Sequence, residues 1–239
     1  MYNIFVTTFN KRLYDEYAHQ LIKTYADTNQ KLHLYVFVED SVTLYPAVKN
    51  VTYLDLFEHE PELKKFIERN KHRPTDSFFK DAVRFSYKVF TQNAAREYAD
   101  RMFFVDADMV FNKQIPLQVY DTILPKDKFV GFYDRPQQYT ETGFIGFNNN
   151  KIISKKFFGH YLNLYKEDTI YNLENWTDCH TFDETRKNMM DDIHYSEIKW
   201  GDGNGGHIMA RDKVMNPYID HRKGKRKSEE HSPEWRNNQ

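Results

Sequence analysis

Asp106-Ala107-Asp108 sets two carboxylates at i and i+2 directly after the apolar run Arg101-Met102-Phe103-Phe104-Val105. An aromatic and β-branched run of this kind reads as a buried strand, so both aspartates stand where the strand gives way to a turn. In open α/β sheets, ligands bind beyond the carboxyl ends of the strands. Two hard oxygen donors in such a turn suit Mg²⁺ or Mn²⁺ and leave coordination positions for a diphosphate. The same triplet also suits an ordinary strand-end turn with two solvated aspartates, so its meaning depends on what else the chain supplies.

Near the other end of the chain stands His221-Arg222-Lys223-Gly224-Lys225-Arg226-Lys227, an H-x-x-G-x-x-K pattern. Five of these seven residues are Lys or Arg, so a solvated basic tail is the competing reading. With Met109-Val110-Phe111 on its far side, the Asp106-Ala107-Asp108 triplet resembles the hydrophobic-flanked DxD of GT-A glycosyltransferases. The His221–Lys227 pattern resembles the C-terminal motif of glycosyltransferase family 8, the glycogenin-like retaining enzymes. The Pro-Trp that follows the lysine in that family is replaced here by Ser228-Glu229. The resemblance implies Asp106, Asp108 and His221 as metal ligands, Asp106 also facing the donor, and Gly224 and Lys227 at the diphosphate. It also implies a nucleoside diphosphate sugar as donor, UDP-linked, and retention of anomeric configuration.

Other segments align with the same resemblance. Thr7, Thr8 and Phe9 end the first strand, where GT-A enzymes hold the nucleotide; an ordinary turn at Asn10 is the alternative. Glu39-Asp40 ends another strand and could contact ribose, or simply open a loop. Lys80 and Arg84 are four residues apart, hence on one face if helical, and Lys88 continues it; Arg84 is the first choice for the diphosphate. The alternative is a solvated helix face with an Asp81–Arg84 pair. Glu141 and Thr142, in Thr140-Glu-Thr-Gly-Phe-Ile-Gly-Phe-Asn148, resemble the segment under the donor sugar. Asp178, with Asp183 second, is the candidate for the sugar hydroxyls or the acceptor, with Trp176 as a stacking ring; a capped acidic helix is the alternative. Gly201–His207 reads as an acceptor-side loop or a turn.

The elements that must position these groups follow from hydrophobic period. Strands are expected at Tyr2–Phe9, Leu32–Val38, Val51–Leu56, Arg101–Val105, Phe129–Tyr133 and Gly143–Asn148. Helices are expected at Tyr14–Tyr25, Pro61–Asn70, Asp76–Tyr98 in one or two pieces, and Ser154–Lys166. The Asp76–Tyr98 helix is expected to bury Phe78, Phe79, Ala82, Val83, Phe85, Val89 and Phe90. Strand–helix–strand order at the start points to a parallel sheet, hence an α/β fold. With the resemblance, the expectation is a GT-A, Rossmann-like central mixed sheet flanked by helices. Residues 1–227 read as one domain and 228–239 as a flexible tail.

Composition bounds the function. The 239 residues include 40% hydrophobic and 16% aromatic residues, enough to bury a core and exclude an acidic disordered chain. No apolar run approaches the ~18 residues of a membrane span. The 34 basic and 35 acidic residues nearly cancel, which argues against a globally basic nucleic-acid coat. The lone Cys179 excludes an internal disulfide or a cysteine zinc cage. Met1–Val6 reads as a strand rather than a leader, so a cytoplasmic protein is expected.

The reading is a metal-dependent glycosyltransferase with an unassigned acceptor: glycan, protein or modified DNA. A DNA-modifying enzyme of the kind found in bacteriophages, acting in the host cytoplasm, fits the chain's size. Two rivals stand beside it. Asp106-Ala-Asp-Met-Val110 also matches the D-x-D-x-[TV] signature of haloacid dehalogenase-type phosphatases, with Asp191-Asp192 as conceivable further acids. A binding module for nucleic acid could use the Arg222–Lys227 patch and surface aromatics.

Overall fold

The computed structural model describes residues 1–75, 77–203, 208–224 and 227. Nine strands form two sheets among the described residues. They are β1 (Asn3–Phe9), β2 (His33–Val38), β3 (Val51–Asp55), β4 (Arg101–Val105), β5 (Met109–Phe111), β6 (Val130–Tyr133), β7 (Glu141–Asn148), β8 (Glu197–Trp200) and β9 (Ile219–His221). The large sheet has seven strands in the order β3-β2-β1-β4-β7-β6-β8, and β5 pairs with β9 in a separate ribbon. β3, β2, β1 and β4 run parallel. β7 is antiparallel to both β4 and β6, and β8 pairs parallel with β6. The expected mixed α/β sheet is therefore what the chain builds.

Side-chain alternation along each strand divides the core into two layers. From β1, β4 and β7, Ile4, Val6, Met102, Phe104, Ile145 and Phe147 enter one cluster. Their alternates Phe5, Phe9, Phe103, Val105 and Phe144 enter the other. The first layer is covered by the helices Ala82–Ala94, Ile152–Lys166 and Asp178–Asn188, through Val89, Phe90, Phe157, Phe158 and Phe182. The second is covered by the helices His19–Asp27 and Leu117–Ile123, through Leu21, Ile22, Tyr25, Tyr120 and Ile123. Because both faces are covered, strands such as β4 are buried at every position.

Several expected elements are displaced, each for a local reason. The Pro61–Asn70 helix has the expected bounds, with Pro61 in its first turn, where a missing N–H costs nothing. The first helical segment contains a π-helical turn, Tyr14–Ala18, between Lys11–Leu13 and His19–Asp27. The expected Asp76–Tyr98 helix is divided: Phe78–Lys80 is a 3-10 turn and the α-helix begins at Ala82. Asp81 ends the first piece by taking an extended-side backbone and capping the second, accepting from the Arg84 N–H at 3.0 Å. Phe78 and Phe79 are consequently 54% exposed rather than part of the buried face. Three short strands, β5, β8 and β9, fall where the sequence reading expects none. Asp76, the Asn204–His207 part of the expected loop, Lys225, Arg226 and the 228–239 tail lie outside the described residues. Among the described residues, no helix is long and apolar enough to cross a membrane.

Candidate metal and phosphate site

The DxD is the turn that carries the chain from β4 into β5. The Asp106 N–H donates to the Gly143 carbonyl of β7 at 2.8 Å, and the Met109 N–H donates back to the Asp106 carbonyl at 3.0 Å. β9 then pairs antiparallel with β5, in a register that sets His221 opposite Met109. The Arg222 N–H extends that ladder to the Asp108 carbonyl at 3.0 Å. The ribbon thus brings His221 to the aspartates: its Nε2 lies 3.0 Å from Asp108 Oδ1 and 3.7 Å from Asp106 Oδ2.

Asp106, Asp108 and His221 each offer one ligand atom, all within 4.8 Å of one another. Two carboxylate oxygens and one imidazole nitrogen are a donor set that fits Mn²⁺ or Mg²⁺ and leaves the remaining positions for other oxygens. Gly143 makes the convergence possible. A Cβ there would stand 2.5 Å from His221 Cε1, 2.8 Å from Glu141 Oε1 and 2.9 Å from Asp106 Oδ2, so any side chain would force these groups apart.

Cations surround the three candidate ligands. Lys88, from the Ala82–Ala94 helix, lies between Asp106 and Asp178, its Nζ 2.8 Å from a carboxylate oxygen of each. Lys227 lies 3.1 Å from Asp108 Oδ2 and 4.0 Å above the Tyr17 ring. Glu141 pairs with Lys223 and, at 3.4 Å, with Arg135. A small cleft opens beside this pair, lined by Glu141, Met209, Asp220, His221 and Lys223 among others.

The protonation equilibria follow from this packing. Burial opposes charge on Lys88, but Asp106 and Asp178 hold its ammonium well above the usual lysine range. Burial also opposes charge on Asp108, yet His221 and Lys227 hold its carboxyl far below the usual range. Glu141 follows the same pattern: against burial, Lys223, His221 and Arg135 bring it down to about 2. Asp106 moves the other way: desolvation pushes it up against the pull of Lys88 and His221, with Asp108 and Asp178 adding to the push. Burial pushes the Cys179 thiol up to about 12, so it is a neutral packing group.

Asp178 is buried and accepts from Thr142 Oγ1 at 2.5 Å, so Asp178, Thr142, Lys88 and Asp106 form one connected cluster. Asp183 lies apart from this group, capping Thr140 through its backbone N–H and hydroxyl. Gly224 has φ +60°, the left-handed conformation that glycine adopts without strain. At the end of β1, Thr7 is buried, Thr8 donates to the Phe37 carbonyl at 2.7 Å, and Phe9 packs between Tyr14 and Tyr45. Glu39 accepts from Asn10, and Asp40 accepts from the Lys11 N–H and the Tyr45 hydroxyl, so both tie β2 to the start of the first helix.

Lys80 and Arg84 are not brought to the aspartates. Lys80 lies over the Trp176 ring and Arg84 over the Phe78 ring. The helix face proposed for these residues does reach the site, one turn later, at Lys88. Trp176 packs against Tyr171 and its indole donates to the Leu173 carbonyl. Asp191 and Asp192, the further acids of the phosphatase reading, are exposed on the short helix Met190–Ile193, where Asp192 pairs with Lys156.

No protein-family model matches the chain, and no curated protein matches it by sequence. Solved structures do match. One is the apo crystal structure of mouse xyloside xylosyltransferase 1, with a TM-score of 0.55 at 12% identity, covering 84% of this chain and 86% of that one. The fold is of the GT-A type. Within a GT-A fold, the Asp106-Ala-Asp108 turn lies at the carboxyl end of a central strand, the position from which an α/β sheet presents ligands.

Sequence reading missed Arg135 and ranked Lys88 below Arg84. Lys88 carried a usable signal, since it lies on the same i, i+4 face as Arg84 in an unbroken helix. Arg135 carried none, because it sits in an irregular segment between β6 and β7 and reaches Glu141 through the turn.

Proposed function

We propose that this chain is a metal-dependent glycosyltransferase that moves a sugar from a nucleoside diphosphate donor, UDP-linked, to an acceptor that is a glycan, a protein or modified DNA. The observation that carries this reading is the convergence of Asp106, Asp108 and His221 from segments far apart in the chain, with Lys227 beside them. Two acids alone would be an ordinary turn. Their meeting with a histidine and a lysine through the β5–β9 ribbon supplies both a cation site and a countercharge for phosphate.

Asp106, Asp108 and His221 would hold Mn²⁺ or Mg²⁺, which supplies Lewis-acid stabilisation of the leaving diphosphate. The protein's own groups do the rest. Lys227 shares the charge that develops on the diphosphate as the bond between sugar and diphosphate breaks. Gly224 lets the backbone approach the phosphates closely. Asp178 faces the donor sugar or the acceptor, and Lys88 holds Asp178 and Asp106 at fixed separation. The β1 end, with Thr7, Thr8 and Phe9, supports the nucleotide. Retention of anomeric configuration belongs to the proposal through the His221–Lys227 pattern.

The test is calorimetric titration of UDP with Mn²⁺ and again with EDTA, followed by donor and acceptor panels that include glycans, peptides and hydroxymethylated DNA. Metal-dependent UDP binding, lost by at least ~100-fold in Asp108→Asn, is the expected result. UDP binding that is unchanged by EDTA and by Asp108→Asn would overturn the metal assignment.

A further inference from the structure

We propose that Glu141 is a positioning residue for His221: it receives the imidazole Nδ1–H and so fixes Nε2 toward the metal. This inference rests on the metal reading of Asp106, Asp108 and His221. It gives Glu141 a task different from contact with the donor sugar.

The geometry assigns the two imidazole nitrogens to opposite partners. Nε2 faces Asp108 and Asp106, at 3.0 and 3.7 Å. Nδ1 faces Glu141 Oε1, at 3.8 Å. A histidine that ligates through Nε2 must carry its proton on Nδ1, and that N–H needs an acceptor. Glu141 Oε1 is the carboxylate oxygen on that side.

The carboxylate is itself held in place. Its Oε2 is engaged by Lys223 and by Arg135 Nη1. Its Oε1 accepts the Gly143 N–H at 3.0 Å, and a carboxylate oxygen has the capacity to accept a second hydrogen bond. Glu141 is 4% exposed and His221 6%, so water does not compete freely for either group. Gly143 has no Cβ to separate them, and the Cβ of any other residue would overlap both side chains. The 3.8 Å separation is longer than a hydrogen bond, and a small rotation of the imidazole toward Glu141 would close it.

A carboxylate behind a ligating histidine fixes the ring's tautomer and raises its basicity, and losing it typically costs 10–100-fold in metal affinity. The effect must pass through the imidazole, which makes it separable from simple loss of negative charge. The experiment is Mn²⁺ binding by electron paramagnetic resonance on the full chain, in wild type, Glu141→Gln, His221→Ala and the double variant. Thermal melting confirms that each is folded. Glu141→Gln is expected to weaken Mn²⁺ about 10-fold in wild type and less than about 2-fold in the His221→Ala background.

An equal loss in both backgrounds, or none in wild type, would overturn the proposal. If Glu141→Gln does not fold, Glu141→Asp keeps the charge but withdraws it from Nδ1, and the same pair of backgrounds is read. Wild-type protein that binds no Mn²⁺ would overturn the metal reading as well. Normal binding that is indifferent to residue 141 would overturn this inference alone.

Discussion

The strand β4 carries a charged group at each end, and the two are held in opposite ways. At its start, Arg101 is 2% exposed and donates to Asn3 Oδ1 at 2.9 Å, the Leu124 carbonyl at 2.6 Å and Asp121 Oδ1 at 2.6 Å. Its partners are mostly neutral oxygens, and every guanidinium nitrogen donates within the protein. Just past its end, Asp106 belongs to a set in which Asp106, Asp108, Asp178 and Glu141 face Lys88, Lys223, Lys227, Arg135 and His221. These groups come from separate segments and neutralise one another. On the proposed reading, an added cation or diphosphate replaces one of the internal partners. Saturated charges of the first kind hold a fold together, whereas exchangeable charges of the second kind are suited to bind.

The largest effect should come from the saturated end. Arg101→Met leaves several buried oxygens without donors and should lower stability by about 3–5 kcal/mol, measured by urea denaturation. Mn²⁺ should raise the variant's melting temperature no more than it raises that of wild type. A larger metal-dependent gain would break the contrast.

Lys88→Met should cost somewhat less, about 3 kcal/mol without metal, because Asp106 and Asp178 then face each other with no cation between them. Here saturating Mn²⁺ should recover part of the loss, since the ion supplies positive charge at Asp106. Thermal melts with Mn²⁺ and with EDTA check this, and equal losses in both conditions would mean that Lys88 is held like Arg101.

The smallest effect is a pH dependence in metal-free protein. Glu141 titrates near 2 in the folded state against an ordinary value of 4.5. A depressed carboxyl stabilises the fold at pH above its unfolded value and loses that contribution as pH falls toward the folded value. Roughly 2 kcal/mol should therefore disappear between pH 6 and pH 3 in wild type and be missing from Glu141→Gln. Parallel pH curves for the two proteins would show that the ion pairs of Glu141 add nothing net.

How much of this was legible in the sequence varies with distance along the chain. The Asp106-Ala-Asp108 turn needed only the apolar run before it, because strand burial is a local pattern. The Pro61–Asn70 helix was legible for the same reason. The break at Asp81 was partly visible, since an aspartate three residues before Arg84 is a capping signal, yet the aromatic residues on either side imitate one continuous apolar face. β5 and β9 were invisible as strands: three-residue segments carry too little periodicity, and each is a strand only because the other lies beside it.

By itself, the sequence determined the α/β class, the strand that ends in two aspartates and the list of residues able to hold a divalent cation. Those follow from side-chain period and from donor chemistry, both readable along the chain. Only the tertiary structure decided which listed residues meet. The β5–β9 register brings His221 to Asp108, the glycine at 143 lets Glu141 close behind it, and one extra helical turn selects Lys88 over Arg84. These choices depend on contacts between residues far apart in sequence, and the free energy that fixes them comes from burying both faces of a sheet whose strands are distant along the chain.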